Sequence, residues 1–227
     1  MEKKIILPNT DNLKITSLGC GCNGECFVTS DGRVYKELFF KDEEERLRKL
    51  VDFNSDVFIF PETLIYTESG FMGYLMRFVD GQELIKLNQD ELVREFIYAL
   101  LSVEKEVIEL TKKKIKINDS SDYNIIYTKD KRIEVIDTDF YDVYKSDNNL
   151  YRKNLISISF GTLAPFIGYS KYNCFIDDRL RKLYKYLCDG LIKPSEFLYE
   201  LTIEFEKMCL ECSTVNEFNK CMELVRK

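Results

Sequence analysis

The sequence predicts an α+β protein whose first third is strand-rich and whose remainder is mainly helical. Three observations lead there. Before residue 79, apolar and polar residues alternate in several short runs, which is the β period. After residue 90, apolar residues recur every three or four positions, which is the helical period. The chain of 227 residues is 45% hydrophobic and 13% aromatic. That content fills a sizeable core and excludes a disordered or fibrous chain.

The elements follow in order. LKITSL (13–18) alternates and runs into glycines. CFVTS (26–30) and RVYKELFF (33–40) flank Asp31-Gly32, a dipeptide that supplies the positive φ of a tight hairpin turn. KDEEERLRKLVDF (41–53) places Leu47, Leu50 and Val51 at helical spacing. The stretch 63–79 reads as a second hairpin turning at Glu68-Ser69-Gly70, and DGQEL (80–84) as a turn. From Asp90 to about Lys112, Leu92, Phe96, Leu100, Val103, Val107 and Leu110 form a helical stripe. NIIYTKDKRIEVID (124–137) reads as a third hairpin. Beyond residue 151 the chain reads as helical, including 154–166. Asp189-Gly190 ends one helix, Lys193-Pro194-Ser195-Glu196 starts another, and Thr214 with Glu217 forms a capping box for the last. The expected organisation is a strand-rich unit over residues 1–79 and a larger helical unit over 80–227 that carries one internal hairpin.

Composition narrows the chemistry. Thirty-nine acidic against 33 basic residues give a net charge of −6. This weighs against a nucleic-acid partner bound by broad phosphate neutralisation. No uninterrupted run of roughly 18 apolar residues occurs, so neither a membrane span nor a membrane partner is expected. The opening MEKKIILPNTDN lacks the apolar core of a signal peptide, and the expected location is the cytoplasm. Eight cysteines in a chain of this size read as reduced thiols. The absence of histidine excludes Ser-His-Asp and Cys-His catalysis and an HExxH metal site. Cys209 and Cys212 read as part of an apolar helical stripe with Phe205 and Met208 rather than as metal ligands. The run Lys112, Lys113, Lys114 and Lys116 reads as a solvated helix terminus.

Two constellations carry chemistry. The first begins at Gly19-Cys20-Gly21-Cys22-Asn23-Gly24. A dinucleotide fold would follow such a loop with a helix, but here a strand follows, and no Gly-Lys-Ser/Thr is present. A glycine loop between antiparallel strands can lay its backbone amides over phosphates, where side chains would obstruct. In VYKEL, Lys36 shares a face with Val34 and Leu38, so it is expected to point inward, where an ammonium needs a counterion. Glu43, four and seven residues before Leu47 and Leu50, is the expected partner, with Glu44 as its substitute. The second constellation is Asp119, Asn124 and Asp137. A turn at 129–132 is expected to set Asn124 opposite Asp137 at the open end of the hairpin. An amide oxygen and a carboxylate there suit Mg²⁺, which takes few protein oxygens alongside phosphate. Asp119, in the entering loop, is placed to orient a hydroxyl and accept its proton.

In motif order and spacing, residues 13–140 resemble the protein kinase-like superfamily, in the form of a short bacterial member. The resemblance implies a bilobal fold, ATP and Mg²⁺ as ligands, and transfer of the γ-phosphate to a hydroxyl acceptor, taken first as protein Ser/Thr. It implies that Gly19, Gly21 and Gly24 cover phosphate, with Leu18 and Val34 beside the nucleotide. Lys36 would be the strand lysine and Glu43 its helix partner. Met76 would sit at the back of the adenine pocket, with the backbone of Arg77 and Val79 bonding adenine. Asp119 would be the catalytic aspartate, and Asn124 and Asp137 the metal ligands. The sequence departs from the family at Ile117-Asn118, where His-Arg is usual, and at Thr138-Asp139, where Phe-Gly is usual. No Ala-Pro-Glu follows. These departures keep two alternatives open: a nucleotide-binding pseudokinase acting as an interaction module, and a kinase of a small metabolite or antibiotic. Asp139 is a secondary candidate to assist the metal. Cys20 and Cys22 are candidates for oxidation that blocks the nucleotide.

Overall fold

A computed structural model describes residues 3–144, 147–167, 175, 177–208 and 210–226. It is a mixed α+β structure. A six-stranded sheet has the order β1 (Lys4–Ile6), β5 (Thr63–Thr67), β6 (Gly70–Met76), β4 (Val34–Leu38), β3 (Gly24–Val28), β2 (Thr16–Cys20). All neighbours are antiparallel except β1, which lies parallel to β5. The alternation of β4 sorts its side chains. Val34 and Leu38 enter an apolar cluster with Leu47, Leu64 and Met76, while Tyr35 faces the opposite side with Ile65 and Leu75. Leu7 and Leu13 of the N-terminal segment cover that second side. Strand β1 was not expected. Three residues are too few to show a period, and its pairing is supplied by a strand some sixty positions away.

Helix α1 (Glu44–Leu50) follows a 3-10 turn at Lys41–Glu43, and buries Leu47 and Leu50. The segment after it joins the sheet to the rest of the molecule. Phe58 bridges Val135 in parallel register, with Val135 N–H to Val57 O at 2.8 Å and Ile59 N–H to Val135 O at 2.8 Å. Val57, Phe58 and Phe60 thereby pack into the large core. DGQEL contains not only a turn but a strand, β7 (Gly81–Glu83), which completes a three-stranded sheet with β9 (Ile125–Thr128) and β10 (Ile133–Val135). A two-stranded ladder joins β8 (Ile115–Lys116) to β11 (Asp142–Val143).

Helix α2 (Val93–Lys112) buries Phe96, Leu100, Val103, Val107 and Leu110. Leu92 is an exception: it caps the helix in extended conformation and is exposed. Helix α3 (Leu150–Ile167) is buried on most sides, packing against α2 and against the C-terminal helices. Helix α4 (Asp178–Cys188) ends at Gly190, whose φ is +61°. Helix α5 (Pro194–Lys207) starts where expected, with the Glu196 carboxylate accepting from Lys193 N–H at 3.0 Å. The Thr214–Glu217 capping box opens helix α6 (Val215–Val225). Helix α5 stops at Lys207, so Cys212 lies in the following loop, buried beside the core rather than on a helical stripe, and Met208 is exposed. Cys209 lies outside the described residues. Among the described residues, no helix is long and apolar enough to cross a membrane.

One buried acid ties two helices together. Glu104 of α2 accepts from Ser195 N–H at 2.8 Å and from Ser195 Oγ at 2.9 Å, satisfying the first turn of α5. Burial raises its pKa above the usual carboxylate range, against the lowering effect of the two Ser195 bonds. A raised folded-state pKa means that ionisation opposes folding, so stability falls as pH climbs from the unfolded value through the folded one. Urea unfolding is therefore expected to show the wild type losing stability relative to Glu104→Gln as pH rises above the ordinary glutamate pKa of about 4.3. Glu104→Ala, which strands both Ser195 donors, is expected to cost about 1–3 kcal/mol.

Candidate functional site

Lys36 is the centre of the site. It lies in the middle of β4, paired across the ladder with Cys26 on one side and Tyr74 on the other, and its side chain is only 5% exposed. An ammonium so placed needs counterions. Two are present: Asp137, in direct contact with Nζ, and Asp139, whose Oδ2 lies 2.9 Å away. Both follow β10. Asp137 takes a left-handed φ of +62°, and a 3-10 turn over Thr138–Phe140 then swings Asp139 back beneath the sheet. Thr138 Oγ1 fastens that turn to Ile59 O at 2.7 Å.

The Lys36–Glu43 pair expected from the sequence does not form. Glu43 belongs to the 3-10 turn before α1, so the helical phase from Leu47 and Leu50 does not extend back to it. Its carboxylate pairs with Arg46 instead. Glu44 is also engaged elsewhere, by Arg48 at 2.6 Å and by the Tyr66 hydroxyl at 2.9 Å. Arg46 in turn donates from Nε to Asp139 O at 2.6 Å and lies over the Phe140 ring. Helix α1 thus holds the backbone of the Asp139 turn, not the ammonium.

The charges respond to this crowding. Burial works against the Lys36 ammonium, but the two carboxylates outweigh it and raise its pKa. Burial, and then the Asp139 charge, push Asp137 up to about 6. Asp139 also suffers from burial. The Lys36 charge, with hydrogen bonds from Asp137, Lys36 and Asn23, nevertheless holds it below the usual range. One ammonium between two carboxylates leaves an excess negative charge, which the proton affinity of Asp137 reflects.

The Asp119 loop is built separately. Asp119 has a left-handed φ of +48°, and Asn124 Nδ2 donates to its carbonyl at 3.0 Å. The hairpin register differs by one from that expected. Ile133 pairs with Tyr127 and Val135 with Ile125, so Asn124 stands opposite Ile136, whose N–H donates to Asn124 O at 2.8 Å. Asn124 and Asp137 are therefore diagonal neighbours on the same cleft rather than a facing pair. Helix α3 supports the loop from below. Asn154 accepts from Ile117 N–H at 2.8 Å and donates to Ile115 O at 2.8 Å, and the Ser120 hydroxyl donates to Ser157 O at 2.6 Å. Asn118 donates to Phe140 O at 2.8 Å and to Asp142 at 3.0 Å.

These parts enclose a cleft of about 570 Å³. Leu18, Gly19, Gly21, Gly24, Val34, Lys36, Met76, Arg77, Val79, Asp119, Asn124 and Asp137 all border it, and Glu43 does not. The glycines have distinct reasons. A Cβ at Gly24 would lie 2.2 Å from Glu37 O, so that glycine is required by the close approach of β3 to β4 at this end of their ladder, whatever the loop covers. Gly19 has φ of +144° at a β-bulge with open space around it. The Arg77 side chain is turned to Glu134 and to Asp56 O at 2.9 Å, leaving the 77–79 backbone as its contribution to the cleft wall. Cys20 and Cys22 are exposed on the rim. Cys26 is half-buried, and burial pushes its thiol up to about 11. Asn23, Asn154 and Gly161 were not anticipated. Asn residues in turns and helices carry no local signal of a distant partner.

Among the described residues, no three of His, Cys, Asp and Glu gather to hold a metal. The cleft does offer hard oxygen donors: the Asp137 carboxylate, and the Asn124 Oδ1, whose amide nitrogen is committed to Asp119 O. That set fits a cation completed by phosphate oxygens better than one caged by protein alone. A larger cavity of about 840 Å³ lies between α2 and α5, lined by Leu92, Ile97, Tyr98 and Tyr199. Its charged wall residues Arg94, Glu206 and Glu211 are exposed, so no charged group there is desolvated for chemistry. The smaller cleft is the chemical candidate.

No protein-family model matches the chain, and no curated protein matches it.

The support from α3 makes a direct prediction. A Cβ at Gly161 would lie 1.8 Å from Ser120 O, one residue from Asp119. Gly→Ala inside an open helix stabilises by about 1 kcal/mol. Gly161→Ala is expected instead to destabilise by about 1–3 kcal/mol, measured by thermal and urea unfolding, because the loop must move aside.

Proposed function

We propose that this chain is an ATP- and Mg²⁺-dependent phosphotransferase of the protein kinase-like type, with a nucleotide-binding lobe over residues 1–79 and a helical lobe over 80–227. The observation that carries the reading is the convergence, in one cleft, of a glycine turn, the buried Lys36, Asp119, Asn124 and Asp137. No local sequence pattern requires these groups to meet.

In this reading, Lys36 directs its ammonium to the nucleotide phosphates. Asn124 and Asp137 hold the cation, which neutralises charge on the phosphate oxygens. The 77–79 backbone and Leu18, Val34 and Met76 hold the base. Asp119 orients the acceptor hydroxyl. Its oxygen forms a bond to the γ-phosphorus while the bond to the bridging oxygen of ADP breaks, and the hydroxyl proton passes to the Asp119 carboxylate. Such catalysis is positioning plus charge stabilisation, so it does not depend on the His-Arg or Phe-Gly neighbours that this sequence lacks. Only a short stretch separates Asp137 from α3 at Leu150, which leaves little chain for a phosphorylation-controlled segment. This favours a constitutively assembled site. It also keeps a small hydroxylated acceptor beside protein Ser/Thr.

Radiolabelled ATP incubated with cell lysate and with a metabolite extract distinguishes the two acceptors. It also distinguishes both from a nucleotide-binding module without turnover. Asp137→Ala is expected to lower Mg²⁺-dependent turnover by roughly 100-fold or more while the fold survives by circular dichroism. Full turnover in that variant would refute the assignment.

A further inference from the structure

The two partners of Lys36 differ in their surroundings. The Asp139 side chain is fully buried and does not border the cleft, whereas that of Asp137 is 25% exposed and does. A ligand entering the cleft meets Asp137 and cannot reach Asp139. Asp139 Oδ2 accepts from Lys36 at 2.9 Å and also from Asn23 Nδ2 at 3.0 Å. Asn23 is buried at the tip of the β2–β3 turn, the glycine turn over the cleft. Arg46 holds the Asp139 backbone carbonyl. Glu43, in the 3-10 turn before α1, and Glu44, at the start of α1, are engaged by Arg46 and Arg48.

We propose that Asp139, and no carboxylate of helix α1, is the standing anchor of Lys36 and, through Asn23, of the glycine turn, leaving Asp137 free to exchange Lys36 for a cation. The physical ground is that a buried ammonium stripped of its last counterion is strongly unfavourable. With Asp139 in place, Asp137 can turn to the cation without stranding Lys36. Asp139 is then a positioning residue. The site is assembled by the turn that carries it, not by movement of α1. The exchange of Asp137 rests on the phosphotransferase reading; the anchoring of Lys36 and Asn23 does not.

Competitive acetylation of the free protein by acetic anhydride, read by mass spectrometry, reports Lys36 without any nucleotide. Asp139→Asn keeps the side-chain shape and leaves Lys36 only the partly exposed Asp137, so it is expected to raise Lys36 reactivity, relative to surface lysines, at least several-fold more than Asp137→Asn does. Asp137→Asn and Glu43→Gln are expected to leave Lys36 protected. In a second arm, Asp139→Asn and Asn23→Ala are expected to weaken binding of a non-hydrolysable ATP analogue roughly 10- to 100-fold. Protection of Lys36 in a folded Asp139→Asn, or its exposure in Glu43→Gln, overturns the proposal. If Asp139→Asn does not fold, Asp137→Asn decides alone: an exposed Lys36 there shows that Asp137 is the anchor. If the wild type binds no nucleotide, the phosphotransferase reading fails while the acetylation result still judges the anchor.

Discussion

The structure around the cleft is organised by one electrostatic requirement, that the Lys36 ammonium, taken out of water in the middle of a sheet, must have negative charge beside it. The counterions come from a turn about a hundred positions later in the chain. Bringing them there is helped by the parallel bridge between Phe58 and Val135, which fastens the strand before them to the segment leading into β5 of the sheet. The same turn receives Asn23 from the glycine turn and Arg46 from α1. A single buried charge therefore ties together the sheet, the helix and the hairpin.

The backbone near the cleft is held in costly conformations. Asp119 and Asp137 both adopt left-handed φ without being glycine, at about 1–2 kcal/mol each. Both are supported by contacts that have no other evident use. Asn124 bonds the Asp119 carbonyl, α3 braces the loop through Asn154 and Ser157, and Thr138 bonds Ile59. Strained residues at a cleft, over-determined by their surroundings, are the expected mark of a functional site.

Much of this was legible beforehand, for identifiable reasons. The hairpins at 26–40, 63–76 and 125–135 follow from alternation and turn residues, and the starts of α5 and α6 from their caps. Motif spacing names many of the residues that border the cleft, but no local pattern requires them to meet. The misreadings share a cause as well. The helical phase that points Glu43 inward breaks down because residues 41–43 form a 3-10 turn. The Asn124 register slipped because a turn's centre cannot be placed to better than one residue from composition. Strands β1 and β7 are too short to show a period and exist through their partners.

What the sequence by itself determined is the local order: which runs alternate, which wind, where each stops, and that Lys36 must face inward beside Val34 and Leu38. Which carboxylate answers the lysine was decided only by the tertiary structure. Helical and β periods act over a few residues, whereas the choice of a counterion depends on distance in space after the chain has closed its loops. Asp139 reads in sequence as a second candidate to assist a metal, whereas its side chain is buried and does not border the cleft. Burial beneath the sheet, against Lys36 and Asn23, gives it its place.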